Sequence, residues 1–264
     1  MVEHKERVRA QFGGSAEEYV KSAGHAAGDD LDQLVAWAEG GPDKVALDVA
    51  TGGGHTALAM AALYGRVVAS DLTQPMLDSA EAFIRGCGVT NVAFRQADAE
   101  ALPFDDAAFD CVTCRIAPHH FPDVARFVAE VARVLKPGGL FLLEDSISPD
   151  DPDLAAYLNH FEALRDPTHI RAMSAQEWRD LLAAHDLAIE AEQTFHKDHP
   201  FDGWVGRSRT PAAVVAEIED TLRAATPAAR EAFQIEIAPD GKVLSYTDTK
   251  IGLKARRQAL GVRG

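Results

Sequence analysis

Lys44-Val-Ala-Leu-Asp48-Val-Ala50-Thr-Gly52-Gly53-Gly54-His-Thr-Ala57 decides how the rest of the chain is read. A short apolar run with β-branched residues forms a strand, and a helical pattern resumes at 56–64. Between them the glycines allow a sharp turn and a close approach of backbone to a ligand. Outward from this unit come a strand at 65–71, a helix at 75–87 and a strand at 89–96. A strand at Phe109–Arg115 comes next, then a helix over 123–135 with its apolar face at Val124, Phe127, Val128, Val131 and Leu135. Pro137-Gly-Gly breaks that helix before a strand at 140–144. This β-α-β-α-β-β-α-β order over 44–144 predicts a doubly wound, mostly parallel, Rossmann-like α/β sheet. Its strands are near-continuous apolar runs, as expected when helices cover both faces. Ligands in such sheets bind beyond the carboxyl ends of the strands, so the residues after each strand are the candidates for a site.

The flanks are less regular. Ser15-Ala-Glu-Glu18 has capping-box spacing, and Leu31, Leu34, Val35 and Ala38 recur at helical intervals, so 15–40 reads as helical up to Gly40-Gly41-Pro42. Beyond 146, helices are expected at 154–165, 175–185, 211–224 and 227–233, and strands at 187–195, 233–237 and 243–253, the last two around an Asp240-Gly241 turn. The 264 residues, 47% of them hydrophobic, suit one large α/β domain or a domain with a sizeable insertion. A net charge of −15 argues against a nucleic-acid partner, since phosphates need a concentrated positive field. No apolar run approaches the roughly 18–20 residues that cross a bilayer, and the charged N-terminus is not a signal peptide, so a cytoplasmic protein without membrane insertion is expected. Cys111 and Cys114 spell CxxC inside a strand, where residues three apart face opposite ways, which argues against zinc or redox chemistry. His196 and His199 have metal-like spacing without a convincing third ligand, and no metal is assigned.

The residues just beyond each strand carry chemistry. Asp71 ends the second strand roughly 20 residues after Gly52, the usual separation for a carboxylate that grips the two ribose hydroxyls of a nucleoside. Asp98, with Ala99 and Glu100, comes after the third strand and suits the amino edge of an adenine. Arg115-Ile-Ala-Pro-His119-His120-Phe121 comes after the fourth. The glycine pattern and Asp71 alone also fit a nicotinamide dinucleotide. Two features favour a nucleoside that carries an amino acid. Asp48 stands ahead of the glycines, where it can hold an α-ammonium group and would sit awkwardly beside a pyrophosphate. Asp98-Ala99 adds a polar adenine contact that the dinucleotide pattern does not demand.

Five stretches occur in order: Asp48–Gly54, Ser70-Asp71-Leu72, Ala97-Asp98-Ala-Glu-Ala-Leu-Pro-Phe104, Phe109-Asp110, and Val134-Leu-Lys-Pro-Gly-Gly139. Together they resemble the class I S-adenosylmethionine-dependent methyltransferases, in particular the ubiquinone/menaquinone biosynthesis C-methyltransferases and their relatives. Ala50 departs from the glycine common there, but a small residue suffices. The resemblance implies S-adenosylmethionine as cofactor, with Asp48, Ala50, Gly52 and Gly54 at its methionine part and Asp71 on its ribose. Leu72, Met76, Asp98 and Ala99 would lie about the adenine, and Arg115 and Ala117 along the cofactor. It further implies an N-terminal helical lid over 1–40, nominating Tyr19, Ser22 and His25, a cofactor-binding core over 41–147, and a part over 148–264 that completes the sheet and carries helical cap insertions over an acceptor pocket.

The expected reaction is in-line attack by a small-molecule acceptor on the sulfonium methyl, through a C, O, N or S nucleophile. His119 is nominated as general base, the alternative being a histidine that only braces its loop. His119, His120, His160 and Arg165 are nominated to bind the acceptor. A homodimer is compatible with the sequence. Two other classes stand beside this one: an NAD(P)-dependent oxidoreductase and a non-catalytic S-adenosylmethionine-binding module.

Overall fold

A computed structural model describes residues 2–13, 28–208 and 210–259. The central sheet has eight strands. β1 (Gly41–Val49), β2 (Tyr64–Asp71), β3 (Val92–Gln96), β4 (Phe109–Arg115) and β5 (Leu135–Ile147) are joined in parallel in the order β3-β2-β1-β4-β5. The order reverses between β1 and β4, which opens a crevice at their carboxyl ends. β8 (Val243–Arg257) then pairs antiparallel with β5, and β6 (Leu187–Pro200) and β7 (Glu236–Ile237) pair antiparallel with β8. The sheet therefore continues past the parallel core as a long, strongly paired wing.

Helices cover both faces. α2 (Asp29–Trp37) and α3 (His55–Ala61) pack with Leu34, Ala57 and Met60 against Ala46, Val67 and Cys111 on one side. α5 (Val124–Val134) and α7 (Ala175–Ala184) press Phe127, Val131 and Trp178 onto Leu47, Val112 and Cys114 on the other. Cys111 and Cys114 thus sit in separate cores on opposite faces of the sheet, as strand alternation requires. α4 (Gln74–Gly86) begins at an N-cap Thr73 and fills the β2–β3 crossover. A third apolar cluster lies outside the sheet, where α6 (Pro152–Arg165), α8 (Phe201–Arg207), α9 (Ala212–Arg223) and α10 (Pro227–Ala232) gather Phe161, Trp204, Ile218 and Leu222 against Tyr246 of β8.

Some boundaries differ from the periodicity. β5 starts at Leu135 instead of 140: Phe109 pairs Leu135 and Cys111 pairs Leu140, and the irregularity between them takes up Lys136–Gly139, with Gly138 at φ +80°. β6 extends from Leu187 through Pro200, past the expected end at 195, because pairing with β8 holds it although its outer side chains are polar. Within the segment expected as a helical lid, Val2–Gly13 forms α1. Tyr19, Ser22 and His25 lie outside the described residues. Among the described residues no helix is long and apolar enough to cross a membrane.

Candidate active site

A cavity of about 750 Å³ runs along the carboxyl edge of the sheet, within the range typical of small-molecule sites. It begins at the turn after β1. Asp48 is fully buried there, and its carboxylate accepts hydrogen bonds from Thr51 Oγ1 and Thr113 Oγ1, each at 2.6 Å. Burial pushes its pKa up to about 6 against those two hydroxyls. Asp48 thus braces the turn from beneath and does not itself line the cavity. The turn passes through left-handed conformations at Ala50 (φ 54°), Gly52 (φ 52°) and Gly54 (φ 86°). A small residue is sufficient at Ala50, but the conformation costs an L-residue roughly 1–2 kcal/mol. A Cβ on Gly52 would meet nothing within 4 Å, so this residue leaves open space on the cavity side. A Cβ on Gly54 would come 3.0 Å from Ile84 Cδ1, so that glycine serves the packing of α3 on α4.

Asp71 ends β2 and lines the cavity. Its Oδ2 accepts from the Gly52 backbone N–H at 3.1 Å, and its Oδ1 from the Thr73 N–H at 2.9 Å and Thr73 Oγ1 at 3.2 Å. Burial raises its pKa against these donors. The carboxylate is thereby fixed in position and tied to the glycine turn. Leu72, Met76, Asp98 and Ala99 form the next stretch of wall. α1 covers it with His4, Lys5, Val8 and Phe12, a stripe at helical spacing within the charged N-terminal segment. Lys5 Nζ reaches Asp98 Oδ2 at 2.6 Å and Glu100 Oε2 at 2.5 Å, and His4 Nε2 donates to the His120 carbonyl at 3.0 Å.

Beyond β4 the chain turns through Ile116 (φ 51°) and Ala117 into a short 3-10 turn, Pro118–His120. Asp145, at the end of β5, clamps this turn. Its Oδ2 accepts from the His119 backbone N–H at 2.9 Å and its Oδ1 lies 2.6 Å from His119 Nδ1. Nδ1 therefore carries the proton and leaves Nε2 with the lone pair. Burial opposes the charged imidazolium, yet the Asp145 charge and hydrogen bond outweigh it and raise the His119 pKa. His120 and His169 behave oppositely: burial, with the charge of His119, pushes each down to about 3. His120 Nδ1 donates to the Thr168 carbonyl at 3.0 Å and His169 Nε2 to Asn159 Oδ1 at 2.8 Å. The three rings stand side by side, with the His119 centroid 4.1 Å from that of His120 and 5.5 Å from that of His169.

The far end is roofed by α6 and α8 and floored by the antiparallel wing. Leu158, Glu162, Arg165 and His169 recur at three- and four-residue intervals and face in. His160 is two positions from Leu158, about 200° around a helix, and lies on the exposed side away from the cavity. Arg115 does not run along the cavity either. It is buried beneath, where Nε meets Asp30 Oδ2 at 2.9 Å and Glu144 Oε2 at 2.8 Å. The structure thus brings Ala50, Gly52, Asp71, Leu72, Met76, Asp98, Ala99, Ala117, His119, His120 and Arg165 to one cavity, and sets Asp48, Gly54 and Arg115 behind its wall. Asp145 stands one residue past the strand expected at 140–144, which is why the periodicity did not nominate it.

These residues fit a nucleoside cofactor: a buried carboxylate held at the wall, open space over Gly52, and small residues beside Asp98. Comparison with known proteins agrees. Residues 47–143 match the methyltransferase domain family. The chain is 40% identical over 235 residues to the uncharacterized methyltransferase YcgJ of Bacillus subtilis, covering 89% of this chain and 93% of that protein. The crystal structure of YcgJ superposes with a TM-score of 0.85 at 38% identity, over 87% of this chain and 98% of that one. A putative methyltransferase from Bacillus halodurans gives the same TM-score at 39% identity, over 88% and 100%. The ubiquinone/menaquinone biosynthesis C-methyltransferase UbiE of Francisella philomiragia is 38% identical over 124 residues, 45% of this chain and 49% of that one.

Proposed function

The chain belongs to the class I S-adenosylmethionine-dependent methyltransferases, and from that premise we propose that it methylates a small-molecule acceptor seated between the His119–Asp145 pair and the α6–α8 cap. Family membership sets aside the nicotinamide alternative that the glycine pattern left open. The observation that carries the acceptor reading is continuity. One cavity joins the nucleoside-type residues at the ends of β1–β3 to a histidine–aspartate pair at the ends of β4 and β5.

In this reading Asp71 holds the ribose hydroxyls, Asp98 and Ala99 meet the adenine edge with Leu72 and Met76, and the turn at Ala50–Gly52 borders the methionine part. Asp48 acts through Thr51, keeping the turn in shape. S-adenosylmethionine, when bound, supplies an electrophilic methyl carbon. The protein's part is alignment and proton management. The His119 Nε2 lone pair receives the proton of an acceptor O–H, N–H, S–H or acidic C–H. Asp145 holds the productive tautomer and stabilises the imidazolium that forms. α1 serves as a lid over the cofactor end, and α6 to α10 as the cap that keeps water from the acceptor end. A non-catalytic binding module would have no use for such a pair beside the cofactor.

Titration of the purified protein with S-adenosylmethionine and S-adenosylhomocysteine tests the cofactor assignment, and failure of both to bind at millimolar concentration overturns it. A panel of quinols, phenols, thiols and azoles assayed with labelled cofactor tests the acceptor class. Methyl transfer that persists unchanged in His119→Gln removes the base assignment.

A further inference from the structure

The acceptor end of the cavity is floored by an unusual sheet face. In the β6–β8 ladder Lys197 stands opposite Asp248, His199 opposite Tyr246, and Phe195 opposite Lys250; in the β5–β8 ladder Ser146 stands opposite Lys250. Alternate residues share a face, so Lys197, His199, Asp248, Lys250 and Ser146 project together, and all five line the cavity. The opposite face of β8 is ordinary core, with Ile251, Leu253 and Ala255 fully buried. A sheet face under a helical cap is normally apolar; among these five residues two lysines and a histidine surround one aspartate.

We propose that the methyl acceptor carries an anionic group, carboxylate or phosphate, and that Lys250, Lys197, His199 and Arg207 hold it at the end of the cavity remote from Asp71. The proposal rests on the reading of this cavity as an acceptor site.

Four observations support it. First, Lys250 is 5% exposed, and burying an ammonium ion is expensive unless a counter-charge is close. Its carboxylate neighbour, Glu144 Oε1, is 3.8 Å away, too far for a hydrogen bond. Glu144 is itself bonded through Oε2 to Arg115, which also serves the ionised Asp30, and burial pushes Glu144 up to about 8. Against burial, the His199 side chain and then the charge of Lys250 hold the Asp248 carboxyl below its usual range, so Lys250 shares its charge with Asp248 while lining the cavity.

Second, cations are set against each other. The Lys197 pKa is lowered by burial and then by the charge of Lys250, with Asp248 and Asp30 acting the other way and Arg207 adding to the lowering. Mutual repulsion is tolerated where a bound anion relieves it.

Third, the tautomer of His199 is fixed the right way. Arg207 Nη2 can only donate, and it lies 3.4 Å from His199 Nδ1, so Nδ1 accepts and Nε2 carries the hydrogen. That buried Nε2 lies 3.2 Å from Asp248 Oδ1, but neither atom makes an aligned hydrogen bond. A ligand oxygen would give the N–H the acceptor it lacks.

Fourth, the carboxylates at this end are largely committed. Glu162 accepts from the Tyr246 hydroxyl at 2.5 Å, Asp166 from the Thr168 N–H and hydroxyl at 2.8 and 2.6 Å, and Asp248 from Ser146 Oγ at 3.3 Å.

The test is calorimetric, at low ionic strength. S-adenosylhomocysteine is titrated first; its failure to bind overturns the methyltransferase reading itself, independently of the anion site. Protein saturated with S-adenosylhomocysteine is then titrated with 4-hydroxybenzoate, phenyl phosphate and neutral phenol. At least one anionic probe should bind tenfold or more tighter than phenol, and the tighter of the two identifies the group. Lys197→Gln and Arg207→Gln, at half-buried and exposed positions where folding is safe, should each reduce that preference severalfold. Lys250→Met should abolish it, with affinity for S-adenosylhomocysteine unchanged in all three. The proposal is overturned if charged and neutral probes bind alike, if neither anionic probe binds while S-adenosylhomocysteine does, or if Lys197→Gln and Arg207→Gln leave the preference intact.

Discussion

Replacing Asp71 by alanine separates what this carboxylate does for the fold from what it does for the ligand. Within the protein it accepts three hydrogen bonds, from Gly52 N, Thr73 N and Thr73 Oγ1. All face a cavity that water can enter, so the donors left behind are resolvated and each loss stays at the low end, about 0.5–1 kcal/mol. Titration offsets part of that loss. The folded-state pKa of Asp71 is raised by burial, so its charge opposes folding above that pKa, and the penalty fades as pH falls through it towards the unfolded value. At neutral pH the substitution removes this penalty together with the bonds, and a small change in Tm is expected. The ligand has no such compensation. Two ribose hydroxyls lose a charged acceptor, and even one such bond contributes about 1.5–3 kcal/mol, a roughly 10- to 150-fold rise in Kd for S-adenosylhomocysteine. Asp71→Asn refines the comparison. Its amide oxygen can still serve Thr73, but its NH2 meets the Gly52 N–H donor to donor, so affinity should fall nearly as far while Tm stays closer to wild type. Titration calorimetry and thermal melting on the same samples read both quantities. An Asp71→Ala protein that folds and binds S-adenosylhomocysteine with unchanged affinity refutes the reasoning and takes Asp71 out of the site.

Three further outcomes are expected. Asp145→Asn should lower the His119 pKa, tracked by NMR of the imidazole protons; in wild type the pair stabilises the fold fully below about pH 6.5 and loses that contribution as pH rises through the raised folded-state value, a dependence the variant should lack, and an unshifted His119 titration would contradict it. Lys5→Met should loosen α1 and speed S-adenosylhomocysteine dissociation about two- to fivefold, as a loss of about 0.5–1 kcal/mol implies, with stopped-flow rates identical to wild type counting against a covering role. Gly54→Ala and Gly52→Ala should diverge. The first strains a φ of 86° and presses a Cβ on Ile84 and Ala80, lowering stability by about 1–3 kcal/mol, while the second puts a methyl into open cavity space and chiefly weakens S-adenosylhomocysteine binding, so equal effects on Tm and Kd in both would undo the distinction.

The sequence is most legible where function depends on chain position alone. Asp71, Asp98 and Ala117 come just after parallel strands, and in a doubly wound sheet that places them at the crevice whatever else the chain does. Side-chain direction is not legible by the same rule. Asp48 and Arg115 also sit at strand ends, but their cross-strand partners take them: Asp48 is in register with Thr113, and Arg115 with Glu144, and each pair bonds beneath the floor. Pairing between residues 65 and 29 positions apart is not visible in local periodicity. The same holds for the polar face of the wing, since Lys197 and Lys250 become neighbours only through the antiparallel register of β6 on β8. α1 is a different case. Its stripe of His4, Val8 and Phe12 is present in the sequence, but a charged terminus raises the question of targeting before the question of which face it buries.

The two halves of the cavity come from different parts of the chain, and this explains what family membership can and cannot decide. Nearly every residue at the cofactor end lies within 47–143, the segment that matches the methyltransferase domain family: Ala50, Gly52, Asp71, Leu72, Met76, Asp98, Ala99, Ala117. Their geometry is set by the β1 turn and by backbone donors, which leave little room for change without losing the cofactor. Asp145, Ser146, Glu162, Arg165, Lys197, His199 and Lys250 all lie beyond that segment, on the end of β5, the cap helices and the antiparallel wing. A substitution there touches neither Asp71 nor the glycine turn. The acceptor end can therefore vary while the cofactor end stays fixed. His119 lies inside the matched segment but takes its tautomer and raised pKa from Asp145 outside it, so it is the group that joins the two halves. In the proposed mechanism the base is therefore set at the end of β5, by Asp145 clamping that imidazole, and not by the motifs that announce the cofactor.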